Sequence, residues 1–309
     1  MMATGAVALV TFGLSIGALW IGAEVFVSNA ARIARRFGFS ELVVGLTVVA
    51  LGTSAPEAAV SIDAALVGNG DIAVGNVVGS NLFNIGIVLG GIAAAVGVRS
   101  SSRMVRRDGL AMVLSTVVML ALLWDLHLSR LDGVLLLVTF AGYLVVLFIQ
   151  PDEPGETPTK ELETTRYTAL RLVGGLGIVI VGAHFLVESA VATAQAAGLS
   201  EWVIGETIVA VGTSTPEIVA SVAAARKGMS DLAAGNLIGS NVFNALFILG
   251  ITSTLTPLPV VAAAVGTTIW LLGLSVLTAV LLATKGRLGR LEGAVLVAIN
   301  LSRWILDVL

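Results

Sequence analysis

Hydrophobic positions along the chain come in long blocks, with no alternation to suggest strands. Ten predominantly apolar stretches can be drawn, at 5–30, 42–67, 72–97, 109–126, 131–149, 170–196, 202–225, 232–256, 260–284 and 290–308. A helix needs about 20 apolar residues to cross the hydrocarbon core of a bilayer. The pattern therefore predicts an all-α membrane protein of ten transmembrane helices. The first stretch has no basic residues before it and is too long for a signal segment, so it is expected to be retained as a helix.

Charge gives these helices a direction. Of the 17 Lys and Arg, 15 fall between odd-numbered helices and the next: Arg32, Arg35 and Arg36; Arg99, Arg103, Arg106 and Arg107; Lys160, Arg166 and Arg171; Arg226 and Lys227; Lys285, Arg287 and Arg290. Arg130 lies on the opposite side and Arg303 near the end of the last span. Positive charge is retained in the cytoplasm, so both termini are expected outside. The one long polar stretch, from Pro151 into the 160s, is acidic and proline-bearing. It reads as a cytoplasmic linker over 151–168 between a first unit, 1–150, and a second, 169–309.

The two units are copies. A shift of 160 residues aligns 41–90 with 201–250 without a gap, and 26 of 50 positions are identical. Each copy holds five spans, an odd number, so the copies enter the membrane from opposite sides. Two inverted five-helix repeats are the architecture of many secondary transporters, which bind substrate near the midplane on interrupted helices.

Composition narrows the chemistry. Hydrophobic residues make up 57% and charged residues 12%, about half the charged share of a soluble domain, roughly 25%, and the mean hydropathy is +1.00. Without cysteine there is neither a disulfide nor a thiolate ligand. With 17 basic against 20 acidic side chains, there is no basic face for nucleic acid.

The polar residues inside the spans are the informative ones. Ala50-Leu51-Gly52-Thr53-Ser54-Ala55-Pro56-Glu57 and Ala210-Val211-Gly212-Thr213-Ser214-Thr215-Pro216-Glu217 each interrupt an apolar stretch. Proline lacks an N–H, which frees the carbonyls of Gly52 and Gly212, and bare carbonyls at membrane depth need protein, water or an ion. Glu57 and Glu217 sit mid-span, where an unpaired carboxylate costs a few kcal/mol, and no mid-span Lys or Arg offsets them. Ala50, Thr53, Ser54 and Glu57 share one helix face by their spacing, as do Ala210, Thr213, Ser214 and Glu217. In the next helix of each copy, Ser80 and Asn84, and Ser240 and Asn244, stand four apart on another polar face. These are all oxygen donors, suited to Na⁺ and Ca²⁺. Asn76, Asn81, Asn236 and Asn241 read better as interhelical hydrogen-bonding groups than as ligands. Glu24 and Glu188 could line an ion access path or pair near an interface. Glu206, matched by Leu46, is expected to draw cations at the outer mouth, Asp63 is expected to be peripheral, and neither His127 nor His184 looks like a ligand.

The doubled Gly-Thr-Ser-x-Pro-Glu, each followed by Gly-Asn-x-x-Gly-Ser-Asn-x-Phe-Asn, resembles the repeats of the cation/calcium exchanger superfamily, in particular prokaryotic sodium/calcium exchangers. The resemblance implies a ten-helix antiporter in the cell membrane with ion sites at its centre and a sliding pair formed by the first and sixth helices. By position it makes Glu57 and Glu217, with the carbonyls of Thr53 and Thr213, calcium ligands. It makes Ala50, Thr53, Ser54 and Ser80, with Ala210, Thr213, Ser214 and Ser240, the sodium-site residues, and Asn84 and Asn244 complete the centre. Many relatives, including potassium-dependent ones, carry Asp at the position of Asn244; its absence weakens potassium co-transport. Expected partners are Ca²⁺, Na⁺ and the bilayer, with no enzymatic activity, cofactor, nucleic acid or obligatory protein partner. Proton coupling is the alternative; a cation channel and an intramembrane protease built on paired carboxylates are remoter ones.

Overall fold

The computed structural model describes scattered positions between residues 14 and 46 and the continuous stretches 49–99, 104–149, 167–196 and 200–308. The linker over 151–166 and the first residues of the chain lie outside the described residues. All described positions between 14 and 33 are helical; they form the first helix.

Thereafter the first copy runs through α1 (Ala50–Thr53), α2 (Ala55–Leu66), α3 (Gly70–Phe83), a π-helical segment Asn84–Leu89, α4 (Gly90–Val96), a second π-helical segment Met104–Gly109, α5 (Leu110–Leu122) and α6 (Arg130–Ile149). The second repeats the order: α7 (Thr168–Ala196), α8 (Glu201–Val203), a π-helical segment Ile204–Val209, α9 (Ala210–Thr213), α10 (Thr215–Arg226), α11 (Ser230–Phe243), a π-helical segment Asn244–Ile248, α12 (Leu249–Leu255), α13 (Ala263–Lys285) and α14 (Arg290–Val308). Between α2 and α3 the chain turns through Gly68, with φ of +90°. Asn69 N donates to Ala64 O at 2.8 Å and Gly68 N to Ala65 O at 3.1 Å, a left-handed glycine cap that satisfies the last carbonyls of the helix. Gly228, with φ of +77°, does the same after α10.

Among the described residues, four helices are long and apolar enough to cross a membrane: Gly70–Val96, Arg130–Leu147, Ser230–Leu255 and Ala263–Lys285. The pair Glu201–Thr213 and Thr215–Arg226, bent by 41°, makes a fifth as a broken span. Burial sorts these by position. Gly70–Val96 and Ser230–Leu255 are 83% and 94% buried in the protein, against 22% and 39% for Arg130–Leu147 and Ala263–Lys285, so the first two form the centre and the others face outward.

Four two-residue strands join the copies, a feature with no sequence signal. β1 (Val98–Arg99) pairs with β4 (Arg287–Leu288), and β2 (His127–Leu128) with β3 (Leu258–Pro259), both antiparallel. The 160-residue shift exchanges the two pairs, and each joins loops that the charge pattern assigns to one side.

The centre is held by close backbone approach across the copies. α3 packs on the Ile204–Val209 segment, and α11 on α1. A Cβ on Gly79 would lie 2.1 Å from Glu206 O, and one on Gly239 would lie 2.8 Å from Leu46 Cα. Small residues at such crossings let membrane helices touch through their backbones. Gly79→Ala is therefore expected to destabilise the protein by about 1–3 kcal/mol or more, read as a lower melting temperature in detergent. Gly91→Ala, with nothing within 4 Å of its Cβ, should leave it unchanged; equal effects would show that the contact does not hold the centre.

Candidate cation site

Each of the two motifs breaks its helix at a serine. Ser54 (φ −82°, ψ 7°) separates α1 from α2, and Ser214 (φ −80°, ψ 3°) separates α9 from α10. Pro56 and Pro216 stand in the first turn of the second limb, where a helix has no use for the missing N–H. The first limb thus ends in carbonyl oxygens at its negative dipole end, and the second begins at its positive end with Glu57 or Glu217 in the first turn. Carbonyls for a cation and a supported carboxylate are delivered to one place.

The copies then interlock through these side chains. Ser54 Oγ donates to Glu217 Oε1 at 2.9 Å, and Ser214 Oγ donates to Glu57 Oε1 at 3.0 Å. Ser240 Oγ also donates to Glu217 Oε1, at 3.3 Å. Its counterpart Ser80 instead lies 3.4 Å from the Thr213 hydroxyl, so the site is not fully symmetric. Thr53 Oγ1 donates to Asn236 Oδ1 (3.2 Å) and Thr213 Oγ1 to Asn76 Oδ1 (3.0 Å). With the protons of Ser54, Ser214 and Ser240 directed at carboxylates, the lone pairs of those hydroxyls are left free to accept.

Asparagines fix the frame around this centre. Asn81 Nδ2 donates to Asn241 O at 3.0 Å and Asn241 Nδ2 to Asn81 O at 3.3 Å. Their amide oxygens accept from Asn84 Nδ2 at 3.2 Å and Asn244 Nδ2 at 3.1 Å. Because those amides spend an N–H on the lock, their orientation is set and Oδ1 is left over. Asn76 Nδ2 bonds Glu57 O and Ser61 Oγ, and Asn236 Nδ2 bonds Ser221 Oγ. The four asparagines expected to bond between helices do so. Ser61 and Ser221 escaped the sequence reading, although each stands four residues after its glutamate and is identical in both copies.

Within this centre, four of the buried oxygens that lack a hydrogen-bond partner among the described residues come in symmetric pairs: Glu57 Oε2, Glu217 Oε2, Asn84 Oδ1 and Asn244 Oδ1. Leaving such acceptors unmet away from water costs on the order of 1–3 kcal/mol each, more when charged. A hard cation, which takes six to eight oxygens at about 2.3–2.6 Å for Ca²⁺, answers all four. Among the described residues no group of three or more His, Cys, Asp or Glu side chains gathers.

All twelve residues singled out in the sequence, Ala50 and Ala210 included, are at most 1% exposed. The alanine carbonyls are the least available: Ala50 O accepts Ser54 N at 3.0 Å and Ala210 O accepts Ser214 N at 2.9 Å. Other acids are placed differently. Glu206 is fully buried and accepts from Thr267 Oγ1 at 3.3 Å, and Arg303 Nη2 donates to the same hydroxyl at 2.8 Å. That burial removes Glu206 from the outer mouth and carries Arg303 further into the protein than its place near the end of the last span suggested. Glu24 is exposed, with Lys227 Nζ 4.0 Å away, which favours interfacial pairing over an ion path. Asp63 is exposed, and the side chain of Glu188 lies outside the described ones.

The profile of the sodium/calcium exchanger protein family matches residues 7–149 and 167–301. The chain belongs to that family. It is a family of multi-pass membrane proteins, and general cation/calcium exchange by antiport is the activity that its description and its named exchangers support. The chain is 37% identical over 295 residues to a putative antiporter, CaxA, of Alkalimonas amylolytica, covering 90% of this chain and 91% of that protein. It is 33% identical to the sodium/calcium exchanger MaX1 of Methanosarcina acetivorans, over 89% and 91% of the two chains. Among solved structures, the sodium-calcium exchanger NCX_Mj superposes with a TM-score of 0.81 at 32% identity, covering 96% of each chain.

In this exchanger the Asn81–Asn241 lock should be cooperative. Asn81→Ala and Asn241→Ala are each expected to lower stability by about 1–3 kcal/mol. The double variant should lose less than the sum, with a coupling of roughly 0.5–3 kcal/mol, in melting experiments without ions. Strict additivity would show that the two amides act separately.

Proposed function

We propose that the protein exchanges Na⁺ for Ca²⁺ across the cell membrane by alternating access, in an electrogenic cycle that extrudes calcium. It does so with ten transmembrane helices in two inverted five-helix repeats, 1–150 and 169–309, both termini outside and the 151–168 linker in the cytoplasm. The observation that carries this reading is the set of four unpartnered oxygens contributed symmetrically by the two copies. The similarity to the sodium/calcium exchangers MaX1 and NCX_Mj supports the choice of ions. The same-side strand pairs β1–β4 and β2–β3 support the inverted arrangement.

Ca²⁺ is held between Glu57 and Glu217, with the carbonyls of Thr53 and Thr213 and the amides of Asn84 and Asn244. Na⁺ ions use Ala50, Thr53, Ser54 and Ser80, and Ala210, Thr213, Ser214 and Ser240, and share the two glutamates. The ions therefore compete. One Ca²⁺ neutralises the two carboxylates; an empty occluded site leaves both charged in low dielectric, at several kcal/mol per ion. Only loaded carriers reorient, and that is obligatory exchange. When more than two Na⁺ replace one Ca²⁺, as the family resemblance implies, the cycle moves net charge, worth about 2.3 kcal/mol per charge per 100 mV.

Counterflow in proteoliposomes tests this. ⁴⁵Ca²⁺ uptake should require Na⁺ on the opposite side and should fall at least about 10²-fold in Glu57→Gln or Glu217→Gln, as expected from about 3–5 kcal/mol for removing one partner of a buried ionic contact. Both variants should remain inserted and monodisperse. Flux that ignores the sodium gradient would make the protein a channel, and flux driven by a pH gradient alone would make the coupling ion a proton.

Asn244→Asp adds a third carboxylate and removes the N–H given to Asn81. Its transport is expected to acquire a dependence on K⁺ or pH that the parent lacks; identical profiles would remove Asn244 from the ion centre.

A further inference from the structure

The first helix and α7 touch at a glycine. A Cβ on Gly175 would lie 2.8 Å from Phe26 N and 2.9 Å from Gly22 O. Beside this crossing is a cleft of about 340 Å³. Ile21 and Val25 form its apolar wall, Ser28 and Asn29 its floor, and Arg32 and Arg171 its cationic part, with Glu24 also on the border.

Three features of the cleft point to a ligand. Asn29 is 4% exposed, and its Nδ2 donates to Val25 O at 2.7 Å. That bond fixes the amide with Oδ1 as acceptor, and Oδ1 has no donor. Lys227 Nζ donates to Ser28 Oγ at 3.0 Å, adding a third cation, so Arg32, Arg171 and Lys227 outnumber Glu24. All three cations fall on the side that carries the positive excess. Ile21, 61% exposed, continues the apolar wall toward the hydrocarbon.

We propose that this cleft binds an anionic, hydroxyl-bearing glycerophospholipid of the phosphatidylglycerol type. Its phosphodiester lies on Arg32 and Arg171, a head-group hydroxyl donates to Asn29 Oδ1, and an acyl chain follows Ile21 and Val25. Guanidinium pairs match phosphate oxygens in geometry as well as charge. The lipid ties the cytoplasmic ends of the first helix and α7 together. The tie reaches the ion centre where both helices pack on the broken ones: α7 lies against Ala210–Thr213 and the Ile204–Val209 segment, and a Cβ on Gly52, in α1, would lie 2.2 Å from Phe26 Cζ, so any shift of the first helix is felt where the helix breaks. Lipid occupancy is therefore expected to set the turnover rate, and that consequence alone rests on the exchange activity proposed above.

Native mass spectrometry of the full-length protein, released from mixed phosphatidylglycerol and phosphatidylcholine membranes, tests the binding itself. The parent should retain one phosphatidylglycerol. Arg32→Gln with Arg171→Gln should retain at least tenfold less, and Asn29→Leu should retain less than the parent. Arg287→Gln with Arg290→Gln, an equal loss of exposed charge on another loop, should match the parent, and all variants should be checked for unchanged melting temperature. Undiminished retention in the cleft variant, equal loss in the distant one, or displacement by millimolar inorganic phosphate would overturn the proposal, the last assigning the cleft to a free anion. Calcium flux without sodium dependence, with lipid retained as described, would overturn the exchange reading and leave the lipid site standing.

Discussion

Two carboxylates buried in the middle of an apolar protein, with no ion pair to a lysine or arginine among the described residues, set the terms for the rest of the structure. Each spends one oxygen on a serine of the opposite copy, Glu217 on Ser54 and Glu57 on Ser214, and each keeps one oxygen unmet. Three serine contacts, counting Ser240 on Glu217, do not balance two negative charges at low dielectric. On the function proposed above the transported cation supplies that balance, and a site that needs its cargo to be stable when closed is the physical core of an exchanger.

The surroundings serve to hold that imbalance at one point. Helix breaks at Ser54 and Ser214 aim carbonyl ends and amide ends at the same volume. The Asn81–Asn241 lock accepts an N–H from each of Asn84 and Asn244 and so sets their amides with Oδ1 unpartnered. Glycine contacts at Gly79 and Gly239 let the central helices approach the broken ones closely enough for side chains from opposite copies to bond. The copies are not equivalent in detail. Ser240 reaches a glutamate and Ser80 a threonine, and Glu206 has Leu46 as its counterpart. These departures give the two sides of an otherwise symmetric centre different energies, which a carrier working against a gradient can use.

Much of this was legible in one chain. Apolar block lengths located the helices to within a few residues, and the 160-residue repeat gave the pairing of halves. A proline beside a mid-span glutamate is costly enough on its own to mark the site, and the i, i+3, i+4, i+7 spacing put the right hydroxyls on its face. The illegible parts are tertiary. The π-helical segments at Asn84–Leu89 and Asn244–Ile248 shift the helical phase without any compositional sign, and α5 is preceded by one that lengthens its helix upstream of the expected start at 109. Glu206 looked like a mouth residue because Thr267, which bonds it, and Arg303, which bonds Thr267, are far away in sequence. Whether an asparagine is a ligand or a lock depends on which N–H it has already given, and only the fold shows that Asn81 and Asn241 are locks while Asn84 and Asn244 have oxygen to spare.

The most direct measurement is anomalous diffraction from crystals of the protein soaked in Sr²⁺ as a calcium surrogate. A single strong peak is expected between Glu57 and Glu217, within about 2.6 Å of their free carboxylate oxygens, a distance typical of calcium coordination, and weakening as Na⁺ is raised. A peak elsewhere, or a central site that stays without metal while the two carboxylates share a proton, would contradict it.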